Sequence, residues 1–238
     1  MLGELVLKIP QVTRVTPYDA LQVAYTLAAG VPAVEYAHAE RFHGRPPFAV
    51  SRGLGSIAIR ALTSDVLTAI ADRAAALRTL TFGGAEVEVH EVKMQRWSSL
   101  DALFMEHLPN PVLHYKVSSP LSFARGGSFI EEPDVRLLMN SAFGTYRLIA
   151  SERLPLLPVD KIHRAAESGE NRRVHLGNNS FVNGWVGHGT WDLSEIDEEA
   201  RRVIYGLMEL VSWAGAGRKA AWGMGRMQVV PAGVAEAG

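Results

Sequence analysis

The chain has 238 residues, enough for one large domain or for two small ones that each bury a core. Apolar residues make up 47% and charged residues 21%, as in ordinary globular proteins, and no apolar stretch is long enough for a membrane-spanning helix. The absence of cysteine excludes disulfides, thiol nucleophiles and thiolate metal sites, and the net charge of −1 requires any nucleic-acid contact to rest on cations gathered locally.

The chain opens Met1-Leu2-Gly3-Glu4-Leu5-Val6-Leu7-Lys8, with no basic stretch ahead of a long apolar run, so no secretory signal is expected and a cytoplasmic location is. Glu4–Ile9 reads as a short strand. Thr16-Pro17 then caps and opens a helix on which Ala20, Leu21, Ala24, Leu27 and Ala28 recur at helical spacing. Phe48–Ser51 and Ser56–Leu62 are strands. Thr63-Ser64 starts a second helix, with Val66, Leu67, Ile70, Ala74 and Leu77 on one face. Thr79–Val92 alternates about a turn at Gly83-Gly84. The order β-α-β-β-α-β is the ferredoxin-like arrangement.

Residues 95–111, ending in Pro109-Asn110-Pro111, read as a connection. The second half repeats the order. Val112–Phe123 is a strand broken by Pro120, and Asp134–Ile149 a helix. Lys161–Val174 is polar and basic, and Phe181–Leu193 alternates like paired strands. A capping box from Ser194 to Asp197 opens a helix bearing Ile196, Ala200, Val203, Ile204, Leu207, Met208 and Val211, and Arg226–Val230 closes the fold as a strand. The expectation is an α+β protein of tandem ferredoxin-like (RRM-like) halves with antiparallel sheets: residues 1–95, a linker at 96–111, and residues 112–238.

The most informative segment is Gly215-Ala216-Gly217-Arg218-Lys219-Ala220-Ala221-Trp222-Gly223-Met224-Gly225, where four glycines bracket two adjacent cations. Glycines permit positive φ and close backbone approach, and successive N–H groups can form a nest for an anion. The dinucleotide fingerprint fails because a helix precedes the loop and a strand follows it. A Walker A loop fails because Ala220, not Ser or Thr, follows Lys219. A phosphate cradle and a plain glycine-rich helix end with solvated cations both fit the residues.

The pattern resembles the C-terminal signature of the repeat-associated RNA-binding (RAMP) superfamily of CRISPR proteins, and within it the sixth CRISPR-associated family, the precursor-crRNA processing endoribonucleases. Three further segments carry the likeness in the same order: Pro47-Phe48-Ala49-Val50-Ser51, Ser118-Ser119-Pro120-Leu121-Ser122-Phe123, and Phe181-Val182-Asn183-Gly184-Trp185-Val186-Gly187.

The resemblance implies a metal-independent endoribonuclease that needs no cofactor and cuts CRISPR repeat RNA. The ribose 2′-OH attacks the adjacent phosphate and leaves a 2′,3′-cyclic phosphate and a 5′-OH. A base, an acid and a cation for the phosphorane are required, and histidine suits either proton role near neutrality. It places the catalytic histidine between the first helix and the Pro-Phe strand, where His38 and His43 compete; His38 follows the helix-like run and is preferred. Tyr36 or Tyr25 would orient the histidine or donate to phosphate, and Arg41 or Arg45 would stabilise charge, since no lysine lies between Lys8 and Lys93. From the residues alone, without the resemblance, His38 reads better as a partly exposed helix or loop histidine, and His188, between glycines, as a strand or turn residue.

Gly215, Gly217, Arg218, Lys219, Gly223 and Gly225 would contact the RNA backbone. A basic hairpin made by Lys161, Arg164, Arg172 and Arg173 about a tip at Glu167–Glu170 would hold a stem; a solvated loop of mixed charge is the alternative there. Trp222 stacks on a base or packs beneath the loop, and packing is the expected role. The expected partner is precursor crRNA; a CRISPR effector complex and a homodimer are allowed, and a membrane is not expected. The rival readings are a noncatalytic RAMP subunit that holds crRNA and a ferredoxin-like interaction protein without RNA.

Overall fold

Leu5 and Leu7 alternate with Glu4 and Val6 along β1 (Leu2–Lys8), so one sheet face is built from aliphatic side chains. The computed structural model describes residues 1–11, 13–39, 45–82, 84–105, 108–177 and 179–231, with the backbone alone at 38, 39 and 95–97. Two units are distinguished: Met1–Ser99 with His175–Phe181 and Ala221–Gly223, and Leu100–Val174 with Val182–Ala220 and Met224–Gly238.

In the first unit β1 is followed by α1 (Pro17–Leu27) and α2 (Pro32–Ala39), then β2 (Phe48–Gly53), β3 (Ser56–Ala61) and α3 (Ser64–Ala75). Thr16 caps α1 through a reciprocal box: its Oγ1 accepts from the Asp19 N–H at 3.2 Å, and Asp19 accepts from the Thr16 N–H at 2.8 Å. α1 and α3 cover the face lined by Leu5, Leu7, Ile57 and Ile59. Gly3 lets α3 approach β1, because a Cβ there would lie 2.5 Å from the Leu67 side chain. Gly84 falls at the turn between β4 (Thr79–Phe82) and β5 (Ala85–Glu88), while Gly83 lies outside the described residues, and these strands form a two-stranded sheet of their own. The fourth strand of the main sheet is β6 (Glu91–Ser98), which runs into residues expected to be linker, and α4 (Leu100–Met105) occupies more of that span. The sheet order is β2-β3-β1-β6, with neighbours antiparallel.

The second unit begins with β7 (Val112–Leu121), which continues through Pro120. That proline is tolerated because β12 pairs β7 only from His114 to Val117 and the β11 register shifts nearby, so no ladder donor is required of it. A short hairpin not foreseen from the sequence follows, β8 (Phe123–Arg125) and β9 (Ser128–Ile130). Then come α5 (Val135–Ile149), capped by Asp134, and two long strands, β10 (His163–Gly177) and β11 (Ser180–Asp192). Phe181–Leu193 is thus one strand, not two. α6 (Glu198–Ala214) is capped by Asp197, which accepts from the Ala200 N–H at 2.8 Å, and Ser194 lies outside the cap. β12 (Met227–Val230) completes the sheet in the order β10-β11-β7-β12.

Both main sheets place their own strands in the order second, third, first, fourth, the ferredoxin-like topology repeated. Trp191, Trp213, Tyr115 and Leu113 fill the second core. No helix among the described residues is long and apolar enough to cross a membrane.

Candidate nucleic-acid interface

The glycine loop starts where α6 runs out of partners for its carbonyls. Gly215, at φ +72°, turns the chain while its N–H still donates to Val211 O at 2.7 Å. Gly217 (φ +71°) and Gly225 (φ +59°) are required twice over. Their conformation is left-handed, and a Cβ would strike the Ser122 carbonyl at the first and the Ala216 carbonyl at the second.

These N–H groups are not held for an anion. Ala216 N donates to Gly225 O at 3.0 Å, Gly217 N to Ser141 Oγ at 3.0 Å, Arg218 N to Ser122 O at 2.8 Å and Gly225 N to Pro120 O at 2.9 Å. The backbone nest expected from the sequence is spent in this stretch on fixing the loop against β7 and α5. The anion-binding capacity here rests on side chains.

Arg218 and Lys219 supply it. Lys219 is exposed and takes φ +57°, unusual for a residue with a Cβ. Despite that exposure, partial desolvation pushes its pKa down, and the adjacent Arg218 guanidinium adds to the shift. Burial also lowers Arg218, against an opposing pull from the Glu131 carboxylate. The Arg218 guanidinium lies 3.6 Å from the centroid of the Phe129 ring on β9. Two desolvated neighbouring cations gain electrostatically when an anion arrives.

Ala221–Gly223 belong to the first unit. Ala221 is buried in its core, and Trp222 packs on that core with its ring 5.8 Å from that of Tyr18. Trp222 thus makes the packing contact expected of it.

The residues expected to carry cleavage lie in the first unit. His38 is in the last turn of α2, which starts at Pro32; Glu35 Oε1 accepts from the Gly30 N–H at 2.8 Å near its start. Tyr36 is on the same helix and 69% exposed. Tyr25 packs edge-on against Phe48 at 5.1 Å, and burial raises its pKa. Arg41 and His43 lie outside the described residues. Arg45, just before β2, has its pKa pushed down to about 10 by burial, so it remains a cation at neutral pH.

The basic segment differs from expectation. Glu167–Glu170 is not a hairpin tip but the middle of β10, which turns into β11 after Gly177. Every residue from His163 to Arg173 is exposed on this edge strand. A strand wet on both faces lacks the apolar alternation that reveals strands in a sequence. Arg164 Nη1 meets Glu167 at 3.2 Å, and Arg172 Nη2 meets Glu170 at 2.7 Å. Glu167 also accepts from the buried Tyr115 hydroxyl at 2.9 Å. Lys161 sits in the 3-10 turn before β10, and Arg173 is exposed on it. Part of the positive charge expected of this segment is therefore balanced locally.

Phe129 and Ser141 were not anticipated. The first had a signal: Gly126-Gly127 flanked by Phe123-Ala124-Arg125 and Ser128-Phe129 is a two-residue hairpin turn, and both glycines have positive φ. Nothing in the sequence pairs Ser141 with Gly217.

Residues 116–227, a little under half of the chain, match the family model of CRISPR-associated endoribonuclease Cas6. No curated protein sequence matches the chain. Among solved structures, a Cas6 product complex superposes with a TM-score of 0.82 at 20% identity, covering 97% of this chain and 99% of that one. A Thermus thermophilus Cas6 gives 0.71 at 19% identity, covering 97% and 98%. A Cas6-related protein from Pyrococcus furiosus gives 0.57 at 12% identity, covering 98% and 100%. At these identities the likeness establishes the tandem ferredoxin-like fold.

Proposed function

We propose that this chain, a member of the CRISPR-associated endoribonuclease Cas6 family, cuts CRISPR repeat RNA to release guide RNAs. The observation that carries the reading is the reach of the family match. It runs from Lys116 in β7 to Met227, the first residue of β12, and so takes in the whole glycine loop with Arg218 and Lys219.

In the proposed reaction the ribose 2′-OH attacks the adjacent phosphorus and the bond to the 5′ oxygen breaks. The products are a 2′,3′-cyclic phosphate and a 5′-OH. The nucleophile is part of the substrate, so the protein need only move protons and offset charge. We assign one proton transfer to His38. Its place at the end of α2, shortly before Arg45 and β2, supports this. Arg45 is assigned to the phosphorane charge, supported by a guanidinium that burial has partly stripped of water yet left protonated. Tyr36, exposed on α2, is assigned to donate to phosphate. His43 is the second histidine for the same role. Arg218 and Lys219 hold RNA phosphate; Gly215, Gly217, Gly223 and Gly225 shape the loop that presents them; Lys161, Arg164, Arg172 and Arg173 line a second contact along β10. A second copy of the chain and an effector complex that receives the product are further partners of this reading, measured by light scattering with and without RNA.

The test uses purified protein and labelled repeat RNA from the same genome, in EDTA. Wild type cuts at one site, a 2′-deoxy substitution there blocks cutting, and His38→Ala slows it by about 10²–10⁴-fold while leaving RNA affinity within about twofold. Cutting that survives His38→Ala moves the role to His43. Tight binding without cutting makes the chain a holder of guide RNA, and neither binding nor cutting overturns the reading.

A further inference from the structure

The β8–β9 hairpin has no part in the ferredoxin-like plan, yet it is folded against the glycine loop. Phe123, at its base, lies 3.2 Å from the position a Cβ on Gly217 would take. Phe129, opposite Ala124 in the hairpin register, has its ring 3.6 Å below the Arg218 guanidinium and is 58% exposed. An aromatic ring that is more than half exposed on a short strand gains little from burial. Instead the ring lies against Arg218, the arginine of the loop.

Arginine loses considerable side-chain entropy when it is fixed on a phosphate. A ring stacked beneath the guanidinium bears part of that loss before RNA arrives, and preorganisation of this kind raises affinity. Stacking also uses the flat face of the group and leaves its in-plane N–H donors for an anion, which an ion pair with a carboxylate would not. The loop backbone is fixed in the same way: Arg218 N donates to Ser122 O at 2.8 Å, and Gly217 N to Ser141 Oγ at 3.0 Å. Main chain and side chain of the cation are thus both held before binding.

We infer that Phe129 is a positioning residue for RNA binding: through its ring the β8–β9 hairpin holds the Arg218 guanidinium ready for a backbone phosphate. This rests on the reading of the loop as an RNA contact. Phe129 does not touch the reacting atoms and acts through Arg218.

Affinity for repeat RNA is measured from 50 to 300 mM salt, with single-turnover cutting at saturating protein, for wild type, Arg218→Ala, Phe129→Leu, Phe129→Tyr and Phe129→Leu/Arg218→Ala. Phe129→Leu keeps an apolar side chain but removes the ring, so it weakens binding by about three- to tenfold and flattens the salt dependence by less than one phosphate's share, about 0.7 in log–log slope for single-stranded RNA. Phe129→Tyr keeps the ring and restores both. The double variant binds no more weakly than Arg218→Ala, because the ring acts only through the arginine. For Phe129→Leu the loss appears in affinity rather than in single-turnover cutting at saturating protein, the split expected of a residue that positions a binding group. Phe129→Leu with wild-type affinity and salt slope, or additive losses in the double variant, overturns the inference while leaving the loop reading intact. Wild-type protein that fails to bind repeat RNA overturns the loop reading itself. Equal thermal unfolding midpoints for Phe129→Leu and Phe129→Tyr separate positioning from misfolding.

Discussion

Arg45 carries its charge at a cost to the free protein. Burial holds its pKa at about 10, below the ordinary value of 12.5. A cation with a depressed folded pKa penalises the fold at every pH below about 10, where it is charged in both states, and the penalty is relieved as pH rises from about 10 toward 12.5. Arg45→Met is therefore expected to raise the melting temperature of the RNA-free protein at neutral pH while slowing cutting. Repeat RNA should stabilise wild type more than the variant, since a phosphate offsets the desolvation of a guanidinium that is already charged. Thermal unfolding with and without RNA checks both, and a variant that melts lower and cuts at the wild-type rate would remove Arg45 from the site. Arg218 and Lys219 were visible in the sequence because they are adjacent and bracketed by glycines. Phe129 was not linked to them, because a contact between β9 and the end of α6 leaves no trace in local spacing.

The glycine loop illustrates how an element can be recognised while its working is misread. Four glycines announce tight turns, but only the packed structure shows that the N–H groups from Ala216 to Arg218 are occupied by Gly225 O, Ser141 Oγ and Ser122 O. Gly217→Ala combines a left-handed φ with a clash against the Ser122 carbonyl, so a loss of about 1–3 kcal/mol is expected, read as a lower urea midpoint. Gly144 in α5 is the contrast: a Cβ there meets nothing within 4 Å, and Gly144→Ala should stabilise by about 0.5–1 kcal/mol. Tyr205 on α6 ties that helix to the start of β7, its hydroxyl donating to Val112 O at 2.8 Å, and burial raises its pKa to about 12. An acid with a raised folded pKa contributes its stability below the unfolded value near 10 and loses it as pH climbs from there to about 12. Alkaline unfolding should flatten in that window in Tyr205→Phe, which at neutral pH costs about 1 kcal/mol.

Across the chain, cations and carboxylates nearly cancel, and RNA binding must work against that balance. The expectation is an affinity for repeat RNA that falls steeply with salt although the protein is nearly neutral, because the ions released are those condensed on phosphates met by a few local cations. Arg218→Ala and Lys219→Ala should each reduce the salt slope and weaken all RNA sequences alike, as phosphate contacts do. A salt-independent affinity, or slopes unchanged in both variants, would place the RNA elsewhere.

The β-α-β-β-α-β frame of the first half, the two long helices of the second and the adjacent cations followed from local rules: apolar periodicity, capping residues such as Thr16 and Asp134, and glycine's access to positive φ. These act over a few residues and are written in the chain. Tertiary packing alone decided the rest. It ran β10 straight through Glu167–Glu170, because the pairing of an edge strand needs backbone hydrogen bonds rather than apolar side chains. It carried β7 through Pro120, because no neighbour there required the missing N–H. It also brought Phe129 beneath Arg218 and Ser141 to Gly217, where the energy of contact depends on distances in space that sequence separation does not encode.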